Sequence, residues 1–327
     1  MKLAGNTLII LLVLLATAIL AVLGFARYHS ATITRDTPPI GRMIEVDGRT
    51  VHAIIKGSGP DLVLIHGANG NARDMDLALG DRLATRYRVI MFDRPGLGYT
   101  DQVSPAYARA FATAVETPLE QARLLQTAAA QLGAERPIVL GHSYGAAVAL
   151  AWAIDRPETL SALVDISGVS NPWPGSLGPL YQIVGSSVGG GLIAPLIAAF
   201  VPTSYVESTI GAIFDPNSVP QNYGHDVGAA LALRTDAIRA NARQVNWLRP
   251  EVVKMVEHYP ALDLPVEIVH GDADTIVPLT IHSRPLAQQI PNAHLTVLSE
   301  VGHMPHHAAP DEVIAAIDRA AARADLP

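Results

Sequence analysis

The residues best suited to chemistry lie at Gly141-His142-Ser143-Tyr144-Gly145, a G-x-S-x-G pentapeptide. A neutral serine is a weak nucleophile, and this spacing sets its hydroxyl on a sharp strand-to-helix turn where a base can reach it. The pattern is only moderately specific, so its context has to be weighed. Ile138-Val139-Leu140 reads as a short buried strand and Ala146 onward as a helix, and the two glycines leave room for a strained turn between neighbouring strands. A second match, Gly185-Ser186-Ser187-Val188-Gly189, is the rival. Its helix would open on Gly189, Gly190 and Gly191, the poorest helix formers short of proline. Ser187 is therefore expected in a flexible turn, and Ser143 is the expected nucleophile.

Such a serine needs a base, and the base an orienting carboxylate. Two downstream segments offer them: His270-Gly271-Asp272-Ala273-Asp274 after the apolar run Val266 to Val269, and Gly302-His303-Met304-Pro305-His306-His307 after Leu295 to Leu298. Both are expected at strand C-termini, where open α/β sheets place their ligands. Asp272 sits closer to its strand, where carboxylates tend to bind their own loop, which favours Asp274 as the acid. Asp165, near the end of another apolar run, is a further rival. His306 and His307 could act as bases or metal ligands, but no carboxylate or cysteine stands near them at a metal-site spacing. His66, His142 and His270 are expected to hydrogen-bond loops near the site, and Asp93 and Arg94 to brace theirs.

The elements that must position these residues are legible as short apolar runs. Met43 to Val46 and Val51 to Ile55 flank Asp47-Gly48 and predict a hairpin. Leu62 to Ile65, Val89 to Met91, Ile138 to Leu140, Leu163-Val164, Val266 to Val269 and Leu295 to Leu298 are uniform enough for a parallel sheet buried on both faces. Between them lie helices. One is bounded by Thr117 as N-cap, Pro118, Glu120 at N3 and Gly133 at its end; others cover Ala146 to Ile154 and Asp311 to Ala322. The alternation predicts a doubly wound, mostly parallel α/β sheet. One interruption, 169–262, is too long for a single crossover and is read as an inserted, helical cap. Between Asp165 and Glu207 it carries no Asp, Glu, Lys or Arg.

Composition bounds the rest. The 327 residues are 49% apolar and 16% charged with a net charge of −7, which excludes a mostly disordered chain. The absence of a long basic run argues against a nucleic-acid partner. With no cysteine there is no disulfide, thiolate nucleophile or cysteine-ligated metal. From Leu3 to Ala26 nothing is charged, and Leu8 to Ala26 as a helix would span about 28 Å, close to a bilayer's hydrocarbon core. That is longer than a cleaved signal's apolar core, so 1–26 is read as an uncleaved transmembrane signal-anchor, with a cleaved signal as the alternative. The domain order is then anchor 1–26, linker 27–42, core 43–168, cap 169–262 and core 263–327. The catalytic domain is expected outside the cytoplasm.

With these motifs in this order, the chain resembles the α/β-hydrolase superfamily, in the cap-bearing branch of esterases, cofactor-free haloperoxidases and carbon–carbon hydrolases. The resemblance covers about 43–322. The family's His-Gly oxyanion motif matches His66-Gly67-Ala68-Asn69, and its Asp-x-x-Gly-x-Gly loop matches Asp93 to Gly98. It departs at Tyr99-Thr100, where many relatives carry a nearby serine. The resemblance implies Ser143 as nucleophile, His303 as base and Asp274 as acid, with Ala68 and Tyr144 N–H groups as the oxyanion hole. It implies a serine hydrolase acting on small apolar esters without a cofactor or metal. The alternatives are a carbon–carbon hydrolase or a perhydrolase on the same residues, or a binding module with a vestigial site.

Overall fold

The eight apolar runs pair into one eight-stranded sheet in a computed structural model that describes residues 2–326. In chain order the elements are α1 (Lys2–Asp36), β1 (Arg42–Val46), β2 (Arg49–Lys56), β3 (Asp61–Ile65), α2 (Ala72–Met75), α3 (Asp81–Leu83), β4 (Arg88–Phe92), α4 (Pro118–Gln131), β5 (Ile138–His142), α5 (Tyr144–Asp155) and β6 (Ala162–Ile166). There follow α6 (Pro179–Gly185), α7 (Ser187–Phe200), α8 (Thr203–Phe214), α9 (Tyr223–Asp226), α10 (Thr235–Val256), β7 (Val266–Gly271), α11 (Ser283–Gln289), β8 (Ala293–Leu298), α12 (Pro305–Ala308) and α13 (Pro310–Arg323). The strand order is β1-β2-β4-β3-β5-β6-β7-β8. The β1–β2 and β2–β4 pairs are antiparallel and the rest parallel.

Side chains that alternate along each strand build a core on each face, the reason these runs show no polar alternation. Val63, Ile65 and Val139 join α4 and α5 on one side, and Leu62, Leu64, Ile138 and Leu140 join α13 on the other. Asp47 and Gly48 both take positive φ, the backbone a two-residue hairpin turn requires. Thr117 caps α4 in a reciprocal box with Glu120, an arrangement that typically stabilises a helix by about 1 kcal/mol.

Two expectations need correction. The N-terminal helix does not stop at Ala26: it continues to Asp36, and the linker expected over 27–42 shrinks to 37–41. Tertiary contact extends it. Val22, Ala26, Ala198 and Ala199 pack together, His29 Nδ1 lies 2.6 Å from the Ala198 carbonyl, and Ile33 is buried. Pro38 and Pro39 then prevent continuation. Nor is Ser187 in a flexible turn: it opens α7, with Ser186 as N-cap accepting from the Gly189 N–H. The glycines serve close packing. A Cβ on Gly190 would fall 2.6 Å from Arg243 Nη2, and one on Gly191 2.2 Å from the Phe111 ring.

Between β6 and β7 the chain forms α6 to α10, and α10 meets the loops after β3 and β4, Asn241 accepting from the Asn69 N–H and Gln244 from Arg94. α10 packs on α6 and α7, and also reaches α5.

Candidate active site

Ser143 stands between β5 and α5 at φ 54° and ψ −117°, a conformation side-chain-bearing residues rarely adopt. Glycine on both flanks makes the turn possible. A Cβ on Gly141 would lie 2.3 Å from the Gly145 carbonyl oxygen, and one on Gly145 2.2 Å from that of Ile65. The Ser143 N–H donates to the Ile166 carbonyl at 3.0 Å, tying the elbow to β6.

The Ser143 hydroxyl donates to His303 Nε2 at 3.0 Å, and His303 Nδ1–H donates to Asp274 Oδ2 at 2.7 Å. With Asp274 able only to accept, Nδ1 is the ring atom that donates, which leaves Nε2 facing the serine hydroxyl. Burial pushes the Asp274 carboxyl up, but hydrogen bonds from His270 and His303 outweigh it, and the group is held well below the usual carboxylate range. The N–H groups of Ile276 and Val277 donate to its other oxygen at 2.9 Å each. Asp274 is thus a fixed, ionised acceptor.

The rival acids are elsewhere. Asp272 is exposed and accepts from the Glu300 N–H at 2.7 Å, so it binds the neighbouring loop after β8 and not, as expected, its own. Asp165 is buried, accepts from Gly168 N–H at 2.9 Å, and burial pushes its carboxyl up to about 6. The rival serine is also elsewhere, its hydroxyl donating to the Phe111 carbonyl at 2.6 Å.

Tyr144 is the first residue of α5, so its N–H belongs to the helix turn that lacks intrahelical acceptors and points out of the N-terminus. Ala68 lies on the loop after β3. Gly67 O and Ala68 N belong to one peptide unit, and that oxygen accepts from His66 Nδ1–H at 2.8 Å and Arg94 Nη1 at 3.1 Å. His66 Nε2 in turn accepts from the Arg94 N–H at 2.9 Å. The Arg94 guanidinium lies 3.8 Å over the Tyr144 ring. One buried cation therefore braces both segments that carry the expected oxyanion donors.

Arg94 was expected to brace only its own loop, and its reach to the opposite side of the site was not legible. Burial lowers it to about 10, and it donates to Gln121 and Gln244 rather than to a carboxylate. Gln244 also donates to Glu116, whose carboxyl burial pushes up to about 7. Glu116, Gln244, Tyr144 and Trp247 line a cavity of ≈190 Å³ that does not include Ser143. Ser143 itself is 8% exposed. Asn241 and Gln244 lie on the inward face of α10, and no motif marked them.

Asp93 acts as expected, accepting from His52, Ala72 and Tyr99 at 2.7 Å each. His142 Nε2–H donates to the His303 carbonyl at 2.8 Å, and burial holds its imidazole neutral. His306 and His307 meet a carboxylate that sequence spacing could not show: Asp74 accepts from their Nε2 atoms at 3.1 and 2.8 Å and from the Tyr223 hydroxyl at 2.8 Å. One ligand atom from each of the three residues lies within 4.8 Å of the others, a donor set of the type that holds a divalent ion. The same atoms also satisfy one another as hydrogen bonds.

Residues 62–316 match the model of the alpha/beta hydrolase family. The chain belongs to that family. It is similar to the 2-hydroxymuconate semialdehyde hydrolase of Pseudomonas putida, 27% identical over 82% of this chain and 89% of the relative. Among solved structures, a thermophilic esterase from Thermogutta terrifontis superposes with TM-score 0.67 at 21% identity, covering 87% of this chain and 99% of the esterase. A membrane phospholipase A superposes with TM-score 0.62 at 20% identity, covering 98% of this chain and 99% of the other. The chain is a hydrolase, with the fold expected of it.

Proposed function

We propose that this hydrolase cleaves carboxylic esters of small to medium apolar substrates through an acyl-enzyme on Ser143, and that α1 anchors it in a membrane with the catalytic domain outside the cytoplasm. The observation that carries the reading is the relay from a strained serine through His303 to an ionised Asp274. His303 Nε2 takes the hydroxyl proton as Ser143 Oγ bonds to the ester carbonyl carbon. The resulting oxyanion is met by the N–H groups of Ala68 and Tyr144. His303 then protonates the departing alkoxide, leaving the acyl group on Ser143. Water repeats the sequence, with His303 removing its proton and Ser143 leaving as a hydroxyl. Asp274 stays ionised and holds the imidazole in the needed tautomer.

A serine in this position fits acyl transfer and not the alkyl-enzyme chemistry that would need a carboxylate nucleophile. The esterase and phospholipase A that share the fold keep ester hydrolysis among the reactions it carries. The Pseudomonas putida relative supports carbon–carbon hydrolysis on the same residues as the second reading. The test is a screen of p-nitrophenyl esters of graded acyl length beside 2-hydroxymuconate semialdehyde, with labelling by a fluorophosphonate. Labelling at Ser143 and ester turnover support the proposal. Turnover of the semialdehyde alone would replace it with the second reading, and no labelling would leave a binding module.

A further inference from the structure

Exposed apolar side chains are unevenly distributed over this molecule. Among the described residues, seven of the sixteen large apolar side chains exposed outside α1 fall within 180–205. Val188, Leu192, Leu196 and Phe200 recur every four residues on α7, so they form one stripe along a single helix face. They are 64, 49, 40 and 63% exposed, and Leu180 and Ile183 of α6 are 51 and 52% exposed beside them. A contiguous apolar patch of this kind on a soluble domain marks a contact surface.

The position of the stripe identifies its partner. α7 packs against α1 through Ala198 and Ala199, and the Phe200 ring lies 5.9 Å from Phe25, at the end of the chargeless part of α1. The exposed stripe is therefore continuous with the exposed apolar surface of α1, which runs from Leu8 to Phe25. Together α6 and α7 are apolar enough for a span, but they bend by 107° at Ser186, so the pair cannot cross as one rod. At 35 residues and about 1.5 Å per residue, α1 is about 52 Å long, far more than a bilayer core needs. It meets α7 through Val22, Ala26 and His29, at the end of the chargeless stretch and just beyond it.

The inner side of the same helices faces the chemistry. The Tyr181 hydroxyl of α6 lies against Asn69 and Asn241, and Asn69 directly follows Ala68. Asn69 donates its N–H to Asn241 Oδ1 at 2.8 Å.

We propose that α6 and α7 form a roof inserted into the outer layer of the same bilayer that holds α1, and that ester substrates enter the site from the lipid rather than from water. This rests on the anchoring reading above. The stretch carries no charge between Asp165 and Glu207, so its binding is by apolar burial and needs no anionic lipid.

Because the chain contains no cysteine, single cysteines can be placed and labelled without background. Full-length Leu12→Cys, Leu192→Cys and Ala322→Cys, each carrying an environment-sensitive fluorophore, are reconstituted in phosphatidylcholine vesicles with doxyl-labelled lipid. The expected result is quenching at positions 12 and 192, shallower at 192, with none at 322. Quenching at 12 alone overturns the roof and leaves the anchor. Quenching at none overturns both, and equal quenching at 322 overturns the roof by exposing general adsorption. Leu192→Glu should lower the rate on a vesicle-borne long-chain ester, relative to a soluble short-chain one, on the order of tenfold. An unchanged ratio counts against entry from the lipid.

Discussion

The two G-x-S-x-G segments, 141–145 and 185–189, have the same pattern and opposite structures. At the first, a buried strand drives the chain into a helix through a serine at φ 54°, and both glycines are required because backbone oxygens of neighbouring segments stand where a Cβ would be. At the second, two helices meet at Ser186, and the serine hydroxyl is consumed by the Phe111 carbonyl. Its own glycines are also close-packed, Gly185 against the Ala242 carbonyl and Asn246 and Gly189 against the Ile183 carbonyl, but within a helix pair and not at a strand end. The difference is that only the first segment sits at a strand end beside a histidine, its serine hydroxyl 3.0 Å from His303 Nε2. The sheet holds the serine at positive φ and brings His303 to it.

The sharpest way to break this comparison is to exchange the losses. Ser143→Ala should lower kcat for ester hydrolysis by about 10⁶ with an unchanged melting temperature, since residues of one relay fail together. Ser187→Ala should leave kcat/KM where it was, and the reverse pattern would refute the assignment.

A smaller loss separates the carboxylates. Asp274→Asn should cost about 10⁴ in kcat, because the amide no longer holds the working tautomer of His303. Asp272→Asn should cost nothing in turnover; a comparable loss there would move the acid role to the loop.

Arg94 tests whether the elbow works alone. Arg94→Met removes one of the two donors that hold the Gly67–Ala68 peptide and the cation over Tyr144, and kcat should fall by about 10² to 10³ with KM little changed. Parallel changes in KM and in Tm would mean the residue only supports the fold.

Glu116 sharpens the contrast in stability. Its carboxyl has an ordinary value of 4.5 and is pushed up to about 7 by burial, so the folded state keeps its proton to higher pH than the unfolded chain does. Stability therefore falls as pH rises from 4.5 to about 7, by about 3 kcal/mol at most. Glu116→Gln should flatten that limb in denaturant titrations, and an unchanged slope would exclude Glu116 as its source.

The smallest expected effect is none. EDTA should leave activity intact if Asp74, His306 and His307 act as a hydrogen-bonded brace. Loss on chelation, restored by one divalent ion, would make them ligands instead.

Much of this arrangement could be read in the chain because its causes are local. All eight strands lie where apolar runs predicted them, and the Thr117 box lies where its four residues predicted it, since burial on both faces and capping act over a few residues. Asp274, not Asp272, meets His303, while the ground on which the sequence separated them fails, since Asp272 binds Glu300 on a different loop. The end of α1 was misplaced because residues 27–36 are helical through contacts with α7 and α10, which lie more than 150 residues away. The role of Gly190 and Gly191 was misread for the same reason, as propensity scores a glycine's flexibility but not the Arg243 and Phe111 side chains that need its space.

The sequence by itself determined which serine, histidine and carboxylate types were present, in which order, and on which kinds of turn, because those depend on local backbone preference and hydrophobic period. Only the tertiary structure decided that Asp74 meets His306 and His307, that Arg94 reaches the Gly67 carbonyl and the Tyr144 ring, and that α1 packs on α7. Each of these joins residues far apart in the chain. No periodicity records such pairings, since their free energy comes from polar groups and apolar surface that lose water together only after the sheet has brought them into contact.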